Sequence, residues 1–179
     1  MTSTRLPGKV LMDLCGRPML AQQLQRLKRC RRADEIVLAT TGNSSDDPVV
    51  AMADREGVRW YRGSEDDVLS RYAGAAREAG AGLVVRITAD CPLIDPEQTD
   101  RVIAELEARR AECDYASNVI SRTFPRGLDA EAFYYDTLVR LDRMAISRQS
   151  REHVTHFLLR ERPDLFAVHS VTDAEDHSD

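Results

Sequence analysis

Apolar residues fall in two alternating rhythms over most of the chain. In "RPMLAQQLQRLKRC" Leu20, Leu24 and Leu27 stand at i, i+4 and i+7 behind a proline, which predicts an amphipathic helix over 17–30. "EIVLATT" (35–41) is a short apolar run ending in threonines and reads as a buried strand. "DDPVVAMADREG" (46–57) predicts a second helix, with Asp47 as cap, Pro48 in the first turn and Gly57 at the stop. "VRWY" (58–61) is a strand. "SEDDVLSRYAGAAREAG" (64–80) is a helix capped by Ser64, with Asp66 and Asp67 at its positive end and Gly80 closing it. "LVVRITA" (83–89) has the apolar start of a strand inside a parallel sheet. "DPEQTDRVIAELEARR" (95–110) is a helix with Asp95 as cap, Pro96 at its first position and Gln98 completing a capping box. Beyond it the rhythm changes: "CDYASNV", "SRTFPRGLDAEAFYY", helices near 136–146 and 148–161, and a strand "LFAVHSV".

Strands alternating with helices predict one α/β domain over residues 1–179, built on a mostly parallel sheet. Ligands of such folds sit in the crevice outside the carboxyl ends of the strands. The 179 residues, 42% hydrophobic, suffice for a single core. No apolar run reaches membrane-spanning length, and the first residues lack the apolar stretch of a signal peptide. Cys15, Cys30, Cys91 and Cys113 form no C-x-x-C pair or zinc spacing, and read as reduced, mostly buried thiols of a cytoplasmic protein. A net charge of -5 argues against a nucleic-acid face. Only Lys9 and Lys28 among the basic residues are lysines, which makes Lys9 stand out.

Three segments carry candidate chemistry. "STRLPGK" gathers Ser3, Arg5 and Lys9 around a Pro-Gly turn; an arginine fork and a lysine point charge suit a polyphosphate, and a solvated basic terminus is the plain alternative. In "RITADCPLIDP", Asp90 follows a strand, a usual place for a carboxylate holding Mg²⁺ against phosphates; Asp95 already caps the next helix, so Asp90 is not needed there. In "FPRGLDAEAF", Asp129 and Glu131 are two apart, so in a strand they share a face that binds sugar hydroxyls or a metal, or else lies exposed at an edge. Arg71, in "RGSEDDVLSRY", reads by default as a helix-surface residue. His153 and His156 lie three apart without an H-E-x-x-H pattern and read as surface or internally paired histidines. There is no Walker A loop and no stacking platform: Trp60, Tyr115 and Phe124 are scattered.

Taken together and in order, "STRLPGKVLMDLCGRPML", "RGSEDDVLSRY", "RITADCPLIDP" and "FPRGLDAEAF" resemble the spore-coat-polysaccharide branch of the cytidylyltransferases, which is similar to the synthetases of CMP-Kdo and CMP-sialic acid. The resemblance covers nearly the whole chain. It implies a three-layer α/β/α fold of the nucleotide-diphospho-sugar-transferase type. It implies an enzyme that joins CMP from CTP to a sugar, commonly an acidic one, with Mg²⁺ and release of pyrophosphate, and that works as a homodimer. Ser3, Arg5 and Lys9 would then hold the triphosphate and Asp90 the metal, with Arg71 near the nucleotide. Asn118, Arg122, Asp129 and Glu131 would face the sugar.

Family members resembling this chain carry a strand of the form I-I-x-A-R ahead of the first loop and a strand with a second metal-binding aspartate after the last. The expectation is therefore a domain lacking its first and last strands and of weak activity. Two other readings stand beside this one. One is a glycosyltransferase of the same fold, disfavoured because a single aspartate rather than D-x-D follows the strand. The other is a non-catalytic binding remnant.

Overall fold

The computed structural model describes residues 8–178. A 3-10 turn, Lys9–Leu11, leads into a two-stranded hairpin of β1 (Asp13–Leu14) and β2 (Arg17–Pro18). Its two-residue loop places Cys15 at φ 55° and Gly16 at φ 83°. Positive φ at both positions is the hairpin turn whose twist matches antiparallel strands. Arg17 and Pro18 are thus spent on the hairpin, and α1 spans only Met19–Leu27, later than the leucine rhythm predicts.

β3 (Val37–Thr41) pairs in parallel with β4 (Arg59–Gly63), joined by α2 (Asp47–Glu56). α1 and α2 bury Leu20, Leu24, Val49 and Met52 against Leu38. α3 (Val68–Ala79) follows and packs flush on β4: a Cβ on Gly74 would lie 2.2 Å from the Tyr61 hydroxyl oxygen. Helix ends differ in detail from expectation. Asp67, not Ser64, caps α3 by accepting from the Ser70 N–H. Asp46 stands at the N-cap of α2, but its carboxylate turns to Thr40 and Thr41.

β5 (Leu83–Arg86) leads to α4 (Pro96–Ala108), capped by Asp95 through the Glu97 N–H. The capping box does not close, because the buried Gln98 Oε1 makes no hydrogen bond. β6 (Tyr115–Ser117), β7 (Glu131–Tyr134) and β8 (Val168–Ser170) join β5 in the order β5-β7-β6-β8. β7 is antiparallel to both neighbours, and β8 is parallel to β6. The expected mostly parallel sheet is therefore mixed. No crossover helix lies between β6 and β7, so the chain returns in the opposite direction.

Side chains of β7 alternate as a pleat requires. Phe133 joins Tyr115 and α5 (Tyr135–Met144) on one face, while Ala132 and Tyr134 meet α4 on the other. The helix expected over 148–161 is broken into α6 (Arg148–Glu152) and a π-helical turn, Phe157–Glu161. The Glu161 carboxylate folds back to accept from the Ser150 hydroxyl at 2.8 Å, with Ser147 beside it. Among the described residues no helix is long and apolar enough to cross a membrane. The cysteines are free; Cys15 is exposed, whereas Cys91 and Cys113 are buried.

Candidate active site

A cleft of about 920 Å³ opens at the carboxyl end of β3. Its walls include the turn at Gly8–Lys9, the strand end Thr40–Thr41 with Asp46 beside it, the loop 65–67 with Arg71 behind it, Ala89 after β5, and α6 with Arg148 and Arg151. Of the three segments singled out in the sequence, the first lines the cleft through Gly8 and Lys9 and the second through Ala89, while no residue of 118–131 lines it.

Gly8 takes a left-handed conformation, φ 70°, and starts the 3-10 turn that presents Lys9. Lys9 Nζ donates to Asp90 Oδ2 at 2.7 Å, joining the first turn to the segment after β5 across 81 positions. Both side chains stay accessible, 34% and 45% exposed. The Lys9 hydrogen bond, aided by Thr88, holds the Asp90 carboxyl below the usual carboxylate range. Cys91 packs behind, its Sγ 3.2 Å from the Thr88 hydroxyl. Ser3 and Arg5 lie outside the described residues.

Arg71 is more than the surface residue of the default reading. Its guanidinium reaches the carbonyls of Ser64 and Glu65, fastening the 64–67 loop over the cleft. Burial draws its pKa down. Asp67 is held twice: it caps α3, and it takes a forked pair of hydrogen bonds from Arg151 at 2.9 and 2.7 Å. Burial alone would raise the Asp67 pKa, but the bonds from Arg151 and Ser70 outweigh it and hold it low. Arg151 also grips Asp142 at 2.7 Å, so the second half of the chain braces the loop of the first.

Thr40, Thr41 and Asp46 form a polar wall that the sequence reading did not single out. The buried Asp46 carboxylate accepts from both hydroxyls, at 2.7 and 2.8 Å, and from the Thr41 N–H at 3.1 Å. Burial pushes its pKa up, and hydrogen bonds, those of Thr40 and Thr41 among them, pull it further down, well below the normal range. The available signal was the pair of threonines closing an apolar run just ahead of an acidic helix start.

The four residues assigned to the sugar divide into two groups. Arg122 and Asp129 form a forked ion pair at 2.7 and 3.0 Å on the accessible side. Asn118 and Glu131 are buried and spend their polar atoms internally. Asn118 donates to Leu128 O and accepts from Ala130 N–H, bracing the 118–130 connection. Glu131 accepts from Tyr115 Oη at 2.8 Å and Thr155 Oγ1 at 2.7 Å, and pairs with Arg86. Asp129 and Glu131 therefore do not form one shared carboxylate site: Asp129 precedes the strand that begins at Glu131. His153 and His156 lie 6.4 Å apart with tilted rings, and His156 approaches Glu161 at 3.8 Å.

No group of three His, Cys, Asp or Glu side chains among the described residues could hold a metal ion. Mg²⁺ does not require such a group, because it is commonly held by one or two carboxylates together with substrate phosphates and water. The accessible Asp90 fits that use, with Lys9 beside it to meet the phosphates.

A family model described as "Cytidylyltransferase" matches residues 1–171. The chain is 32% identical over 173 residues to the spore coat polysaccharide biosynthesis protein SpsF of Bacillus subtilis, covering 94% of this chain and 70% of that protein. It is 39% identical over 107 residues to the 3-deoxy-manno-octulosonate cytidylyltransferase of Geobacter sulfurreducens, covering 58% of this chain and 41% of that protein. Where the match to curated relatives runs nearly end to end, this chain spans 66–70% of their length. Its fold superposes on a solved cytidylyltransferase of Leptospira borgpetersenii with a TM-score of 0.94 at 32% identity, over 99% of this chain and 74% of that one. The architecture is thus the α/β fold of the nucleotide-sugar transferases, and the chain belongs to the cytidylyltransferase family.

Proposed function

We propose that this chain transfers CMP from CTP to an acidic sugar and releases pyrophosphate. The observation that carries the reading is the Lys9–Asp90 pair beside the cleft, a cation and an accessible carboxylate held together at the carboxyl edge of the strands. Membership of the family and likeness to an octulosonate cytidylyltransferase support the nucleotide and the acidic sugar.

The chemistry asks for positioning and charge neutralisation. A sugar hydroxyl forms a bond to the α-phosphorus in line with the bond that breaks, pyrophosphate departs, and the hydroxyl proton passes to solvent. Lys9, with Ser3 and Arg5 ahead of it, neutralises charge growing on the phosphate oxygens. Arg71 keeps the 64–67 loop closed over the nucleotide. Asp90 would hold Mg²⁺, which would supply further neutralisation of the phosphate charge when bound. Asn118 and Glu131 spend their polar atoms internally, so of the four residues assigned to the sugar Arg122 and Asp129, paired with each other, are the ones left to meet it. Product would then serve surface-polysaccharide synthesis.

A panel of nucleoside triphosphates with Mg²⁺, read by thermal shift, tests the nucleotide: CTP is expected to stabilise most, as a ligand of the native state alone must. Pyrophosphate release with CTP and an octulosonic or nonulosonic acid then tests turnover. Equal response to all triphosphates, or none, would sink the reading.

A further inference from the structure

Arg151 lines the cleft but has no donor left for a ligand. Its Nε donates to Asp67 Oδ1 at 2.9 Å. One terminal nitrogen donates to Asp67 Oδ2 and Asp142 Oδ1, each at 2.7 Å, and the other to the carbonyls of Asp142 and Ala145 at 2.8 and 3.3 Å. Five N–H groups meet five acceptors, which is the full donor capacity of a guanidinium. A side chain so fully spent has no hydrogen bond to offer a substrate. Whatever it does for the cleft, it does through its partners.

The partner that faces the cleft is Asp67, the last residue of the 64–67 loop. The first half of that loop is tied from nearby in the chain. Arg71 donates to the carbonyls of Ser64 and Glu65, and the Asn43 amide donates to the Glu65 carboxylate. Arg151 holds the other end from 84 positions away. Asp67 Oδ1 accepts from both the Ser70 N–H and Arg151, so the start of α3 and the grip of α6 share one atom. α6 is itself anchored: Ser147 caps it through the Ser150 N–H, and the hydroxyls of Ser147 and Ser150 both donate to Glu161. The wall of the cleft therefore leans on a fixed helix of the second half.

We infer that Arg151 is a positioning residue for the nucleotide: it holds Asp67, and through Asp67 the 64–67 wall, in the shape that binds. The inference rests on the reading of this cleft as a nucleotide site. Grip and binding are then coupled, and such coupling is reciprocal. Nucleotide in the cleft steadies α6, and loss of the grip weakens nucleotide binding. The Lys9–Asp90 pair lies outside the grip and keeps its geometry, so the loss falls on binding rather than on turnover.

The test compares Arg151→Gln and Arg151→Lys with Arg140→Gln in the full chain, with CTP and Mg²⁺ as the probe. Arg140 ties Asp114 to the Leu165 carbonyl and does not line the cleft, so it controls for the loss of a bridging arginine. Arg151→Gln is expected to raise both the KM and the Kd for CTP about ten-fold, with kcat held within about three-fold. Arg151→Lys recovers only part of the loss, because an ammonium lacks the fork. Arg140→Gln leaves KM in place even where Tm falls. Asp67→Asn, which keeps an oxygen for the Ser70 N–H, is expected to match Arg151→Gln, and the double variant to be no worse than either. CTP is expected to slow amide exchange over Arg148–Glu152 in the parent protein but not in Arg151→Gln. Four results would overturn the inference: an unchanged KM in folded Arg151→Gln, additive losses in the double variant, an equal rise in Arg140→Gln, or CTP protection of α6 that survives in Arg151→Gln. Without nucleotide, Arg151→Gln is expected to speed exchange of the 64–67 amides about ten-fold, and an unchanged rate overturns the positioning role by itself. A parent chain that binds no triphosphate sinks the nucleotide reading instead, and the exchange rate without nucleotide still decides the grip.

Discussion

The two ends of the sheet system are built on opposite terms. Around β6 and β7 every strand residue is buried, β7 runs against both neighbours, and the Tyr115, Ser117 and Glu131 side chains bond within the protein. Around β3 and β5 most strand residues are half-buried, each strand pairs along one edge only among the described residues, and charges stand accessible beside a cleft. The closed region carries its polar groups as structure: Glu131 accepts from Tyr115 and Thr155 and pairs with Arg86 at the end of the neighbouring β5. The open region carries them as equipment: Lys9 and Asp90 bond each other but keep faces toward solvent. Type of residue does not separate these roles. Whether a carboxylate has spent its oxygens does.

The contrast predicts where substitutions hurt, and how. The largest loss belongs to the closed region. Glu131→Ala strands the Arg86 guanidinium beside the Tyr72 ring and is expected to lower stability by about 3–5 kcal/mol, measured by urea unfolding. A loss below that of an ordinary surface change would mean the network is ornamental. Next comes Lys9→Ala in the open region, expected to cut turnover by roughly 10²–10³-fold while leaving the urea midpoint in place. Unchanged pyrophosphate release by the folded variant would remove Lys9 from the chemistry.

Asp46 lies between these cases, buried but at the cleft wall. Its pKa is depressed in the folded state, so its contribution is present above the unfolded carboxylate pKa of about 3.9 and fades as pH falls below that. Asp46→Asn is expected to cost about 1–3 kcal/mol at neutral pH and to flatten the loss of stability on acidification. An acid profile identical to that of the parent protein would contradict this. The smallest effect belongs to Arg32→Ala. Its bond to Glu107 ties the segment after α1 to α4, yet both side chains are half exposed, so about 0.5 kcal/mol or less is expected.

Much of the framework was readable from local pattern. Leucine spacing, Pro-Gly punctuation and apolar runs located α1 to α4 and β3 to β5 to within a few residues, because those elements are set by local burial and caps. Direction was not readable in the second half. The antiparallel course of β7 depends on the absence of a crossover helix between Ser117 and Glu131, and on long-range pairing that periodicity does not record. At the site, Lys9 and Asp90 were legible as residue types at a crevice, and the ion pair joining them is a tertiary fact. Asn118 and Glu131 were placed toward a sugar by the family resemblance and, for Glu131, by its spacing of two from Asp129; in the structure both are buried with their polar atoms bonded internally, which neither resemblance nor spacing records. Arg151 gave no signal at all, since its partners Asp67 and Asp142 lie 84 and 9 positions away.

The flush seat of α3 on β4 has an evolutionary consequence. With only 2.2 Å between a side chain's first carbon at position 74 and the Tyr61 oxygen, the two positions cannot drift independently. A lineage that gains even an alanine at 74 has to surrender the phenol at 61 or push the helix, and with it Arg71, away from the cleft. In an alignment of relatives, glycine at 74 and a ring at 61 should therefore appear and disappear together, a signature that bulk sequence identity would miss.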